Sequence, residues 1–211
     1  MATKKAKAPE TGRKSAYVAR NREAILKAAQ TVYSRDGAQA TMDDVANEAQ
    51  MAMSTVYKHF KDKQDLISAV TLHAFNDWEA WMQKQLSEVS DPLERFVLPM
   101  RLFLRSKTTH PEYAQLLAKN FGVVSQILPT FLAQFSAQAT LLAKAKLVTP
   151  ENLNVAIQNL IAVLVLQLVN QVTNPKSTAA DADMAVRVAL SMLGISEAKA
   201  KKLTESKVLS N

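Results

Sequence analysis

Cysteine is absent from the 211 residues, which rules out disulfides, thiolate metal ligands and cysteine nucleophiles. Glycine is almost as scarce. Gly12, Gly37, Gly122 and Gly194 are the only four, too far apart for a phosphate-cradling loop or a dinucleotide fingerprint. The three histidines, His59, His73 and His110, are scattered, and none is read as sitting in a helical spacing with another His or a carboxylate that would suggest a metal site. Serine-centred hydrolase elbows are missing too. No enzyme activity, metal or cofactor is therefore expected. The most apolar run, Leu160 to Val169, is interrupted by Gln167 and reads as too short to span a bilayer. Met1 opens a Lys- and Ala-rich stretch unlike a secretory signal, so a soluble, cytoplasmic chain with no membrane partner is expected.

The formal net charge is +7, unevenly spread. Residues 1–65 carry twelve Lys/Arg against eight Asp/Glu, whereas residues 66–196 carry ten against nine. A basic end on a near-neutral body points to a polyanionic partner at that end.

No alternating run long enough for a strand occurs, and the punctuation is helical throughout. Residues 1–14 (MATKKAKAPETGRK) read as a disordered basic arm, with Lys4, Lys5, Lys7, Arg13 and Lys14 available to follow a DNA backbone. Residues 15–65 read as a small three-helix domain. Its first helix places Ile25, Ala28, Ala29, Val32 and Tyr33 on one face and ends at Gly37. Thr41 with Asp44 three residues on forms a capping-box pattern, and Asp62 with Asp65 starts a long helix to about Leu86. Pro92, Pro111, Pro129, Pro150 and Pro175 mark starts and stops through a body spanning residues 66–195. About nine helices are expected in an all-α chain, followed by a disordered tail over 196–211.

The segment TMDDVANEAQMAMSTVYKHFKDK, Thr41 to Lys63, says most about function. It predicts two short helices across a tight turn, locked by Val45, Ala49, Val56 and Phe60. Ser54, Thr55, Lys58 and His59 are then left on the open face, with Tyr57 at its edge. Small hydroxylated, aromatic and basic side chains suit a helix that enters the major groove and holds flanking phosphates. Met53 can pack or touch a thymine methyl, and Thr41 can offer its hydroxyl to a phosphate.

Residues 22–70 resemble the N-terminal domain of the tetracycline-repressor (TetR) family of bacterial regulators. The likeness runs through Ile25, Ala29, Tyr33, Gly37, Thr41, Val45, Ala46, Ala49, Thr55, Val56, Tyr57, Phe60, Lys63 and Leu66. It implies a helix-turn-helix domain on a helical ligand-binding and dimerisation body, with Tyr57, His59 and Lys63 on phosphates. Two departures stand out: Gln50 where the family usually has Gly in the turn, and Ala52 where it usually caps the recognition helix with Ser.

In the body, VAIQNLIAVLVLQLVNQV is apolar nearly all round and must be buried on more than one side. The second side is assigned to another subunit, the alternative being that this is the central core helix of a monomer. Ile157, Leu160, Ile161, Leu164, Val165 and Leu168 would pair with Met184, Val188, Ser191 and Met192 of the last helix about a two-fold axis, as the resemblance also implies. Large side chains crowd the middle helices: Phe75, Trp78, Trp81, Met82, Phe96, Met100, Phe103, Tyr113, Leu117, Phe121, Phe131 and Phe135. With His110, Asn120, Gln167 and Asn170 as polar groups, they are candidates for a small-molecule effector pocket or for plain core.

The expected function is a homodimeric repressor that binds a palindromic operator and is released by a small apolar or amphipathic effector. The alternative is a TetR-like protein of chromosome organisation or division control, acting through a protein partner without an inducer.

Overall fold

The computed structural model describes residues 10–206, with side chains described outside 10–13, 121, 123–128 and 130–131. Helix starts follow local chemistry. α1 (Glu10–Asp36) ends where Gly37 takes φ +59° and a short 3-10 turn follows. Thr41 caps α2 (Met42–Glu48) in a reciprocal box: its Oγ1 accepts from Asp44 N at 3.1 Å, and its own N donates to the Asp44 carboxylate at 2.8 Å. After α3 (Met53–His59), Asp62 accepts from Asp65 N at 2.8 Å to open α4 (Lys63–Leu86). Asp91 and Pro92 open α5 (Pro92–Leu104), the single turn α6 (Ser106–Thr109) follows, and Pro111 opens α7 (Pro111–Lys119). The remaining helices are α8 (Phe121–Lys144), α9 (Leu153–Thr173), α10 (Ala179–Leu190) and α11 (Glu197–Glu205).

The described chain is all-α, an N-terminal helix-turn-helix domain followed by a helical body. Ile25, Ala29, Val32 and Tyr33 of α1 are buried with Val45, Ala46, Val56, Phe60 and Leu66 to form the N-terminal core. The body packs α9 on α5, α7, α8 and α10. Gly194 ends the 3-10 turn (Ser191–Leu193) after α10 at φ +71°, where a Cβ would lie 2.7 Å from the Thr149 carbonyl, so only glycine fits that approach.

The eleven α-helices among the described residues are close to the nine expected, α6 and α11 being the additions. Three expectations change. α1 begins at Glu10, so the last residues assigned to a disordered arm are helical; Lys4, Lys5 and Lys7 lie outside the described residues. The described part of the expected tail, residues 196–206, is largely helical, and 207–211 lie outside the described residues. Ala200 and Thr204 of α11 are buried, and Arg101, itself 2% exposed, donates to Leu203 O (3.1 Å), Ser206 O (3.0 Å) and Ser206 Oγ (2.9 Å) at its C-terminal end. The same guanidinium donates to Asp183 at 3.0 and 3.4 Å, which brings α5, α10 and α11 together at one buried arginine. Lastly, α9 runs for 21 residues at a mean hydropathy of 1.7 and is long and apolar enough to cross a bilayer, contrary to the expectation from its apolar run. Ile157, Leu160 and Leu168 of this helix are buried in the core of the fold.

Candidate functional site

α2 and α3 meet across a turn with Gln50 at φ +54°, the left-handed conformation the missing glycine would have adopted freely. Ala52 occupies the N-cap of α3 and supplies no side-chain acceptor. The helix is held from below by Val56 and Phe60, 0% and 1% exposed. Ser54, Tyr57 and Lys58 face solvent, while Met53, Thr55 and His59 are half-buried along its edges. A seven-residue helix anchored by two apolar residues and open on the other side is thereby presented outward.

Two phosphate assignments change in character. The Thr41 hydroxyl is committed to Asp44, to which it donates at 2.6 Å, and Asp43 and Asp44 place two carboxylates in the first turn of α2. Hydrogen bonds from Thr41 hold the Asp44 carboxyl below its usual range, so it stays charged and disfavours an anion there. Lys63 donates to the Ala38 carbonyl at 2.6 Å, which ties the start of α4 to the turn after α1.

One contributor has no local sequence signal. Arg22 of α1 donates to the His59 carbonyl at 3.2 Å and lies over the Phe60 ring at 4.4 Å, clamping the C-terminal end of α3. Its partners lie 37 and 38 residues away, beyond the reach of periodicity. The Tyr33 hydroxyl, buried in the core of this domain without a hydrogen-bond partner among the described residues, is pushed up to about 12 by burial and then by Asp44. It stays protonated.

The second feature is a cavity of about 210 Å³ in the body. Of the expected lining, Trp78, Met82, Phe96, Met100, Phe103, Tyr113, Leu117 and Phe135 are in its wall. Trp78 stacks on Tyr113 at 5.5 Å and 13°, and Phe96 meets Phe135 at 4.4 Å. The polar candidates fall elsewhere. His110 packs against Trp81 at 4.5 Å, away from the cavity, and burial lowers its tendency to protonate. Asn120 donates to Leu116 O at 2.8 Å and Tyr33 O at 3.4 Å, joining α7 to α1. Gln167 and Asn170 do not line the cavity, Asn170 being on the solvent face of α9. The side chains of Phe121 and Phe131 lie outside the described residues. The wall's polar groups are instead Glu79, Gln83, Arg95, Gln134 and Gln138.

This geometry corrects the interface assignment. Ile161, Leu164 and Val165 line the cavity, and Ile157, Leu160 and Leu168 are core of the same subunit. The outward apolar positions are Val155 and Leu166 on α9 and Met184 and Val188 on α10, with Leu166 68% and Val188 60% exposed; Ser191 is exposed and Met192 half-buried beside them. A helix apolar all round does not reveal which apolar side faces inward. The metal reading also needs a detail. His73 does meet carboxylates, Glu23 at 3.5 Å and Asp77 at 3.6 Å, but no group of three ligand-type residues suited to a metal occurs among the described residues.

Residues 25–70 match the family model described as bacterial regulatory proteins, tetR family. Solved structures share the fold at low identity. RolR in complex with resorcinol superposes with a TM-score of 0.74 at 16% identity, over 93% of this chain and 98% of that one. NalD, the secondary repressor of the MexAB-OprM multidrug efflux pump in Pseudomonas aeruginosa, gives 0.63 at 19%, over 83% and 96%. FadR of Bacillus subtilis with stearoyl-CoA gives 0.69 at 16%, over 81% and 98%. No curated protein matches the chain.

Proposed function

Because residues 25–70 form a DNA-binding domain of the tetR family of bacterial regulatory proteins, we propose that this chain is a homodimeric transcriptional repressor released from a palindromic operator by a small molecule. The observation that carries this reading is the course of α4. Its first turn is tied to the DNA-binding domain through Lys63 and Ala38, and its later turns give Phe75, Trp78, Glu79, Met82, Gln83 and Leu86 to the cavity wall. One helix of 24 residues, about 36 Å long, therefore joins the recognition unit to the ligand site. α7 makes a second link. It lends Tyr113 and Leu117 to the cavity, while Lys119 at its end donates to the Ser34 and Arg35 carbonyls of α1, each at 2.7 Å.

Ser54, Thr55 and Lys58 are the residues that read base edges and nearby phosphates, with Met53 against a thymine methyl and Tyr57 and His59 on the backbone. One such helix contacts too few base pairs for useful affinity. Two related by symmetry read half-sites about 34–36 Å apart. The dimer forms through the outward apolar face of α9 and α10. Ligand occupancy shifts the population toward a spacing of the two recognition helices that no longer fits successive grooves. The ligands held by two of the similar folds, resorcinol and stearoyl-CoA, support a ligand-responsive body here, and the cavity favours this reading over a purely scaffolding role. Acting on chromosomal DNA, the protein works in the cytoplasm.

The test is selection of operators from a random duplex pool, followed by fluorescence anisotropy with metabolite extracts added. A palindromic consensus released by at least one fraction is expected. Equal affinity for random DNA in moderate salt would overturn the proposal.

A further inference from the structure

The chain's net charge is concentrated at its start. Residues 1–22 hold seven Lys/Arg against one Asp/Glu, whereas residues 23–211 hold nineteen against eighteen. Almost all of the +7 therefore lies ahead of the tetR-family match, which begins at residue 25. So lopsided a stretch points to a polyanionic partner of its own.

Part of that stretch is built into the fold. Within α1, every side chain from Lys14 to Arg20 is exposed, Tyr17 at 58% and Val18 at 46%. Neither Lys14 nor Arg20 has a carboxylate partner among the described residues. These turns bury nothing against their own domain. A helical segment without tertiary packing is marginal in water, and like charges close together weaken it further. An anionic partner laid along it offsets both costs.

The position of the segment favours DNA. α1 meets the body at its other end, where Lys119 donates to the Ser34 and Arg35 carbonyls. The basic turns start instead from Arg22, which donates to the carbonyl of His59, the last residue of α3. At 1.5 Å per residue, Lys14 stands about 12 Å along the helix from that contact. That is about three to four base-pair steps of a duplex.

We propose that the turns from Lys14 to Arg20 form a second DNA contact, with both cations on backbone phosphates that flank the base pairs read by α3. The proposal rests on the DNA-binding reading of α3 given above. Phosphate contacts carry no sequence information, so this surface adds affinity equally on every duplex.

The test is the salt dependence of binding by the full chain, read by fluorescence anisotropy on a selected operator and on a random duplex. Lys14→Gln with Arg20→Gln should flatten the slope of log K against log salt on both. Each lost phosphate contact lowers the slope by about 0.9, so about 1.8 is expected for each subunit bound. The ratio of operator to random affinity should not change. Lys14→Arg with Arg20→Lys keeps both charges and should keep the natural slope. Lys144→Gln with Lys176→Gln removes the same charge from exposed positions of the body and should leave the slope unaltered. No flattening in the first pair, or equal flattening in the body pair, would refute the contact. Loss of binding to phosphatidylglycerol vesicles in the first pair, with its DNA slope intact, refutes it too and assigns the surface to a membrane. If the first pair does not fold, acetylation of Lys14 in the natural chain decides. A duplex should slow that reaction severalfold, and an unchanged rate refutes the contact. The two readings fail separately: without a selectable operator the repressor falls while the random duplex still decides this contact, and an operator bound with an unaltered slope sinks this contact alone.

Discussion

The Arg22 guanidinium lies 4.4 Å from the centroid of the Phe60 ring, so the first helix of the DNA-binding domain clamps the end of the third. Phe60 is buried beneath the recognition helix, and Arg22 also donates to the carbonyl of His59. The side chain thus serves both the core ring and the last turn of α3. Arg22→Met should lower domain stability by about 1 kcal/mol, a cation–π contact plus one hydrogen bond at an exposed site. Arg22→Lys keeps the charge but loses the planar fork, so it should recover only part of the loss. Urea denaturation measures both; equal stability of all three forms would show that the clamp is idle.

The turn before α3 can be improved. Gln50 holds φ +54° without the freedom of glycine, and Ala52 caps nothing. Gln50→Gly should stabilise the protein by about 1 kcal/mol through relief of left-handed strain. Ala52→Ser should add about 0.5–1 kcal/mol by accepting from a free N–H of α3. Thermal melts of the two single variants check each, and a lower melting temperature in either would show that the local geometry is not what limits the turn.

Residues of the N-terminal domain were legible because its chemistry is local. Thr41 and Asp44 are three apart and form the expected box; Val56 and Phe60 are four apart and anchor the helix as spaced. The body was legible in kind, its aromatic side chains surrounding a cavity, but not in sidedness. Leu164 and Leu166 are equally apolar in sequence, yet one lines the cavity and the other points to solvent. Only the neighbours α7, α8 and α10 decide between them, and they are supplied by distant sequence. α11 failed to show for a similar reason. Its polar sequence EAKAKKLTE reads as solvated until Arg101, about a hundred residues earlier, is found gripping its end.

That grip sets a large energetic stake. Arg101 and Asp183 are paired at 3.0 Å with the arginine 2% exposed, and Arg105 adds a second cation to the same carboxylate. Removing one partner leaves a buried charge uncompensated, at a cost of about 3–5 kcal/mol. Asp183→Asn should therefore shift the urea midpoint far more than any exposed charge removal, and Arg101→Met should additionally release α11 to rapid proteolysis. A loss below about 1 kcal/mol for both would mean that water reaches the cluster and screens it.

The position of Leu166 makes the proposed dimer testable without damaging the fold. At 68% exposure it has little to lose inside its own subunit, as has Val188 at 60% on the neighbouring helix. A charge at either site leaves the monomer core intact but must be desolvated if a second subunit covers it, which costs several kcal/mol per ion. Leu166→Glu with Val188→Glu should thus give a folded monomer in sedimentation and a weakening of operator binding by at least a hundredfold, because one half-site contact is lost. Leu164→Ala is the contrasting variant. It enlarges the cavity and should cost about 2–5 kcal/mol of stability while the chain stays dimeric. If the double glutamate variant sediments as a dimer, the subunits meet through another face, and the recognition helices are spaced by some other pair of elements than α9 and α10.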